Sequence, residues 1–100
     1  MAEMVINSQT IRSQAEQLSN LNVQFQSKVS ELRSFEDALN SSWEGEARVK
    51  FHEAFTSDAA QMDKFYDTIN DYIAVLMNIA SRYEQAENAN VETAATRSYR

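Results

Sequence analysis

The backbone of this chain has very few places at which it can turn. Its 100 residues contain no proline and a single glycine, Gly45. Proline and glycine are the strongest local breaks in a chain, and sheet folds need several turns that use them. Long helices need almost none. The sequence therefore predicts an all-α protein, and its length is sufficient for one domain.

A seven-residue apolar repeat runs through the first part of the chain. Apolar residues recur at alternating steps of four and three from Ile11 to Leu39, and only Asn22 and Glu36 interrupt them. This spacing is typical of a long amphipathic helix with a coiled-coil-like seam. The residues predicted to pack in the core or in a dimer are Leu18, Leu21, Phe25, Val29 and Leu32.

A second repeat of the same kind runs from Phe51 to Ala86, and only Asp58 interrupts it. It predicts a second long helix. A flanking line widens its apolar stripe: Ala47, Ala54, Tyr66, Ile73 and Ala80. The residues predicted to pack are Phe51, Phe55, Met62, Phe65, Ile69, Ile73, Leu76 and Ile79. The polar residues within the two seams, Asn22, Glu36 and Asp58, are candidates for setting register and partner choice.

The two repeats are separated by residues 40–45, which include the only glycine. Ser41 and Glu44 have the spacing of a capping box, which predicts that the second helix starts here. Asn7 or Ser8 is expected to cap the first helix. A break this short favours an antiparallel hairpin.

The apolar pattern fades after Glu87, where small and polar residues follow. We therefore expect a helical hairpin domain over residues 1–87, with its turn near 40–45. Residues 88–100 are expected to form a flexible C-terminal tail.

Each helix carries an apolar stripe wider than the seam that a two-helix hairpin can bury. The first helix is also rich in serine and asparagine, each of which costs up to about 0.7 kcal/mol relative to alanine, so packing has to stabilise it. A second hairpin would cover the surplus apolar surface in a four-helix bundle. A homodimer is the default for a single such chain, and a heterodimer with a related chain is the alternative.

Charge and residue types argue against several classes of function. The net charge of −6 disfavours nucleic acid and anionic membranes, which attract basic surfaces. With no cysteine and one histidine, His52, the chain offers no metal site, and we expect no cofactor and no enzymatic activity. His52 is expected to lie off the apolar stripe. Asp63, Asp67 and Asp71 repeat every four residues and are expected to be a solvated face.

No segment of the sequence has the pattern of a cleavable signal peptide, with a basic region before an apolar run. No stretch approaches the roughly 18 apolar residues of a membrane span, so stable membrane insertion is not expected. On these grounds the chain would stay in the cytoplasm unless a dedicated route exports it. Membrane disruption by the amphipathic helices is a third possibility, and the acidic polar surface argues against it.

Two short motifs carry a resemblance to a known family. Trp43 and Gly45 form a Trp-x-Gly sequence between the two predicted helices, and Tyr83 and Glu87 form a Tyr-x-x-x-Glu sequence near the end of the second. With the length and both apolar repeats, they cover nearly the whole chain. The chain resembles the WXG family of small Esx-type proteins that the type VII pathway of Gram-positive bacteria secretes.

The resemblance implies a dimeric substrate or adaptor that is made in the cytoplasm, exported folded by a membrane-anchored ATPase and associated with virulence. It also implies an antiparallel dimer. Trp43 and Gly45 of one protomer would then approach Tyr83 and Glu87 of its mate and form a composite export signal.

Plainer interpretations of the same residues stand beside this one. Trp43 would simply plug the end of the hairpin as a core residue, Tyr83 would only pack at its heptad position, and Glu87 would be one more solvated charge. The alternative function is an intracellular helical adaptor, or a chaperone-like partner of a larger secreted toxin.

Overall fold

The computed structural model describes the backbone of residues 6–97 and the side chains of residues 6–91. This part of the chain forms two helices, α1 (Ser8–Ser42) and α2 (Glu46–Arg97), of 35 and 52 residues. No strand occurs between residues 6 and 97. The helices fold back on each other, which confirms the predicted all-α antiparallel hairpin.

The hairpin is long and thin. It measures 84 × 25 × 21 Å, and its radius of gyration is 23.0 Å, compared with about 13 Å for a compact domain of this length. We call the end that contains residues 43–45 the tip. The other end, where Ser8 lies beside Glu87, is called the open end.

The start of α1 follows one of the two predicted caps. Asn7 has an extended backbone, with φ −139° and ψ 176°, and its side chain accepts a hydrogen bond from the Thr10 amide at 2.9 Å. The Asn7 carbonyl accepts the first helical bond, from the Ile11 amide at 3.1 Å. Asn7 is therefore the N-cap, and Ser8 is the first residue of the helix.

The predicted capping box at the start of the second helix is wrong. Ser41 still belongs to α1, and its hydroxyl donates to the Asp37 carbonyl at 2.9 Å. α2 begins only at Glu46, after Gly45, whose carbonyl accepts the Arg48 amide at 3.2 Å. A serine hydroxyl within a helix can bond to the carbonyl four residues earlier, and here this contact replaces the expected cap.

The second helix is longer than the sequence pattern suggested. α2 does not end at Glu87 but continues to Arg97, so residues 88–97 are helical. At about 1.5 Å per residue, these ten residues carry α2 roughly 15 Å past the start of α1. A helix needs no apolar stripe to continue, and this segment has neither glycine nor proline to stop it. The last three residues of the predicted tail, 98–100, lie outside the described range.

One side chain per two turns of α1 is buried against α2. The buried residues recur every seven positions and are Ser8, Ala15, Asn22, Val29 and Glu36. Three of the five are polar, and the other two are small or medium in size. The second half of the predicted seam, the line through Leu18, Phe25 and Leu32, lies beside this contact and stays partly or largely exposed.

The centre of the contact on α2 also differs from the predicted seam. Its fully buried residues are Ala59 and Ala80, with Tyr66 and Ile73 half-buried on the same line. Tyr66, Ile73 and Ala80 belong to the line predicted to flank the stripe, and of these only Ile73 is also among the residues predicted to pack. Alanine at the contact lets the two backbones approach closely, so the larger apolar residues are displaced to one side.

Within residues 6–97, neither helix has a stretch apolar enough over a sufficient length to cross a membrane.

Candidate recognition surfaces

An aromatic cluster lies at the tip of the hairpin. The Trp43 ring packs against Phe51 with centroids 5.7 Å apart, and Phe51 stacks on Phe55 at 6.4 Å. Trp43 is half-buried, whereas 44% of Phe51 is exposed. The tip therefore presents apolar ring surface to solvent, and Trp43 is neither a core residue nor fully free.

Gly45 is required by the backbone of the tip. Its φ is +110°, a value that residues with a side chain rarely adopt. A Cβ atom at this position would meet no other atom within 4 Å. Conformation rather than space therefore selects glycine here.

A buried carboxylate lies close to the tip. Glu36 is only 3% exposed, and its Oε1 contacts Nδ1 of His52 across the two helices. The other oxygen, Oε2, is buried and has no hydrogen-bond partner within the described residues. The side chain of His52 is 44% exposed, so water reaches the pair from one side.

At the open end, residues in the first turns of α1 bond to α2. The Ser8 amide donates to Oε2 of Glu87 at 3.0 Å, and the Ser8 hydroxyl donates to Oε1 at 2.7 Å. Hydrogen bonds from the Ser8 hydroxyl and amide lower the pKa of Glu87 below its ordinary value of 4.5. Arg12 pairs with Glu84 at 2.9 Å, one turn further along. Tyr83 is 43% exposed.

The four predicted recognition residues do not meet within one chain. Trp43 and Gly45 form the tip, while Tyr83 and Glu87 lie at the open end. Some 37 residues of α2 separate Glu46 from Tyr83, which corresponds to roughly 55 Å of helix. A composite site would therefore require a second chain.

The larger apolar side chains collect on one side of the hairpin, which we call the apolar face. Leu18, Leu21 and Phe25 line an open groove with Phe65 and Ile69, and the rings of Phe25 and Phe65 meet edge to face at 5.3 Å. Heptad steps from these residues add Leu32, Phe35, Phe51, Tyr72, Ile79 and Tyr83 to the same side. Exposed fractions reach 60% at Leu21, 54% at Phe65 and 70% at Phe35. By contrast, the buried apolar residues of the described part are small or medium in size: Ala15, Val29, Ala59 and Ala80.

The opposite side, the polar face, carries ion pairs between the helices. Arg33 bonds to Asp63 at 2.6 Å, and the Arg12–Glu84 pair lies on the same side. Arg33 follows the buried Val29 by four residues, whereas Phe25 precedes it by four, so the two project to opposite sides. The hairpin thus has a polar face, with ion pairs between the helices, and an apolar face.

No group of three or more potential metal ligands occurs among the residues that the structure describes. Glu36 and His52 form a pair only. Of the carboxylate line, Asp63 is already engaged by Arg33.

Two polar contacts were not foreseen from the sequence. His52, expected to lie off the apolar stripe, contacts a buried carboxylate, and Glu87 accepts hydrogen bonds from the first residue of α1 instead of being only a solvated charge. A signal for the first contact was present, because Glu36 lies as far before the tip as His52 lies after it. Ser8 and Glu87 are not placed symmetrically about the tip, so there was no such signal for the second contact. The register of the hairpin was needed to use that signal.

Two long antiparallel helices that meet at a Trp-x-Gly tip define a WXG-type helical hairpin. The model of the WXG100 family, described as proteins of 100 residues with WXG, matches residues 3–88. The chain therefore belongs to the WXG100 family.

Solved structures with the same fold come from Bacillus anthracis strain Sterne and are described as the secreted protein EsxB. One selenomethionine-labelled structure is 22% identical, with a TM-score of 0.78, and the match covers 87% of this chain and 99% of that one. A single-substitution variant is 24% identical, with a TM-score of 0.77 and coverage of 89% and 98%. At this identity the likeness concerns the fold. No curated protein sequence matches the chain significantly.

Proposed function

We propose that this protein is an Esx-type substrate or adaptor of the type VII secretion system, exported as a dimer. Membership of the WXG100 family supports this role, as does the likeness to hairpins described as secreted. The role is one of binding rather than catalysis. The single observation that carries the proposal is the broad apolar face that one hairpin leaves exposed.

A second hairpin is the natural occupant of the apolar face. Leu21, Phe35 and Phe65 are each more than half exposed, which is costly for a chain on its own. Two copies packed through this face would form a four-helix bundle, with a homodimer as the default and a heterodimer with a related chain as the alternative.

The ends of the apolar face explain why pairing would matter for recognition. Trp43 packs on Phe51 at the tip, and Tyr83 is exposed at the open end, both on this side. In an antiparallel dimer, Trp43 and Gly45 of one protomer would approach Tyr83 and Glu87 of its mate. We propose that these four residues form a composite signal for the membrane-anchored ATPase of the pathway.

Two residues on either side of the buried Asn22 offer a matched test of the dimer. Leu21 and Val23 are equally exposed, at 60% and 58%, but helical geometry turns them about 100° from Asn22 in opposite directions. Leu21→Glu places a charge on the apolar face and is expected to give a monomer of 11.4 kDa by light scattering. Val23→Glu is expected to leave the dimer intact. A wild-type monomer, or equal effects of both variants, would refute the dimer.

The export signal is tested by removing its rings. Trp43→Ala and Tyr83→Ala are expected to abolish export into the medium while helicity and dimer mass stay unchanged. Val91→Ala is the control, because Val91 is 67% exposed on the same helix but lies outside the motif. If both ring variants reach the medium normally, the signal has been assigned to the wrong residues.

Cell fractionation separates this role from that of an intracellular adaptor. The proposal requires protein in the culture medium that depends on an intact type VII system. Protein found only in the cytoplasm would favour the adaptor or chaperone-like role instead.

A further inference from the structure

The two residues of the Tyr-x-x-x-Glu motif face different surroundings. Glu87 follows the buried Ala80 by seven residues, so it lies on the inner line of α2 and faces α1. Tyr83 lies on the apolar face and is 43% exposed. The tyrosine is therefore available to a partner, whereas the orientation of the carboxylate is set by α1.

Both oxygens of the Glu87 carboxylate are held by one residue of α1. The Ser8 amide and hydroxyl donate to Oε2 and Oε1 at 3.0 and 2.7 Å, although the residues are 79 positions apart. The Ser8 amide is one of the donors that the start of a helix leaves without an internal partner, so the carboxylate also lies in the favourable field of the helix end. Arg12 and Glu84 add a second bridge.

We propose that Ser8 and Arg12 clamp residues 84–87 of α2, so that only a closed hairpin presents the Tyr-x-x-x-Glu motif in the geometry that the export machinery reads. Ser8 is a positioning residue in this scheme and does not itself touch the receptor. The inference rests on the proposed export function. It makes the signal depend on the fold, because its carboxylate is oriented by a residue at the opposite end of the sequence.

One substitution removes the Ser8 contacts with little other change. Ser8→Pro deletes both the amide and the hydroxyl donor, and proline is favoured at the first position of a helix. The preceding Asn7 already has the extended backbone that a residue before proline adopts. The cap from Asn7 to the Thr10 amide does not involve Ser8 and is kept. Ser8→Thr retains both donors and is the matched control.

The clamp is measured by amide hydrogen exchange in the purified full-length protein. Ser8→Pro is expected to make the amides of residues 84–91 exchange roughly threefold faster or more, with unchanged exchange at the tip. Ser8→Thr should exchange like the wild type. Wild-type exchange in Ser8→Pro would overturn the proposal.

Export of the same variants tests the link to recognition. Ser8→Pro is expected to reduce export, with normal dimer mass and helicity. Ser8→Thr is expected to be exported like the wild type. Faster exchange with normal export would overturn the positioning role if Tyr83→Ala still blocks export. If Tyr83→Ala is exported normally, the proposed signal itself has failed, and the positioning role fails with it.

Discussion

The Glu36 carboxylate and the His52 ring meet across the two helices, next to the tip of the hairpin. Glu36 is the most buried charged side chain of the described residues, and one of its oxygens has no partner there. A buried polar group is tolerated when it is paired and costly when its partner is removed. This contact is therefore expected to contribute to the stability of the hairpin near the tip.

Removing His52 should destabilise the hairpin. We expect His52→Ala to lower the free energy of unfolding by about 1–3 kcal/mol, because Glu36 loses its one side-chain partner among the described residues. Glu36→Met, with a similar shape and no charge, should be neutral or stabilising. Urea unfolding at fixed protein concentration measures both. In the Glu36→Met background, His52→Ala should cost much less, and an undiminished cost would show that the contact is not the cause.

Asn22 bonds to α2 at the middle of the hairpin. Its Nδ2 donates to the Tyr66 carbonyl at 3.0 Å and to Oδ1 of Asn70 at 3.1 Å, and the residue is 3% exposed. Asn22→Ala should destabilise the protein by about 1–2 kcal/mol in urea unfolding, because two bonds across the helices are lost. The exposed Asn20 is the control, and Asn20→Ala should stay within about 0.5 kcal/mol. Equal effects would argue against a bridging role.

Gly45→Ala should destabilise the tip through the backbone alone. The φ of +110° is strained for alanine, while its Cβ would have open space. We expect a loss of about 1–3 kcal/mol in thermal or urea unfolding. Glu44→Ala, next to it on the exposed tip, should change stability little. If Gly45→Ala is as stable as the wild type, glycine is not needed for the turn.

The Ser8–Glu87 contact should weaken in acid. Because its hydrogen bonds lower the pKa of Glu87 in the folded protein below 4.5, the carboxylate stabilises the open end fully above that value. This contribution is lost as the pH falls from 4.5 through the folded pKa. NMR titration of the Glu87 carboxyl carbon should give a midpoint below 4.5, and Ser8→Pro should move it upward. A wild-type midpoint at or above 4.5 would contradict the contact.

The elements of the fold could be predicted from the sequence, but the centre of their contact could not. Scarcity of glycine and proline predicted an all-α fold, the two apolar repeats predicted two long helices, and Asn7 was one of two candidate caps. Apolar residues spaced three and four positions apart define a broad apolar stripe on a helix. They do not show which residues lie at the centre of the contact with the other helix. Large side chains such as Phe51 and Phe65 dominate that pattern, yet the apolar residues of α2 that are buried are the small Ala59 and Ala80.

The polar contacts between the helices and the exposure of the motif residues could not be predicted, because both depend on the register of α1 against α2. The three-residue tip fixes which side chains face each other, and an error of one residue there changes every pair. The predicted capping box placed the start of the second helix near Ser41, whereas α2 begins at Glu46, so it could not supply the register. The recognition roles of Trp43, Gly45, Tyr83 and Glu87 stay predictions that the export tests address.

The hydrogen bonds that join α1 and α2 along the hairpin have a consequence for the order in which the chain folds. The entropic cost of closing a loop rises with its length, so contacts between the helices should form first at the tip and then progressively toward the open end. The sequence separation of the bonded partners grows in that direction: 8 for Asn40–Arg48, 16 for Glu36–His52, 30 for Arg33–Asp63, 44 for Asn22–Tyr66 and 79 for Ser8–Glu87. The segment of α2 that contains Tyr83 is thus expected to pack against α1 last during folding and to separate from it first during unfolding.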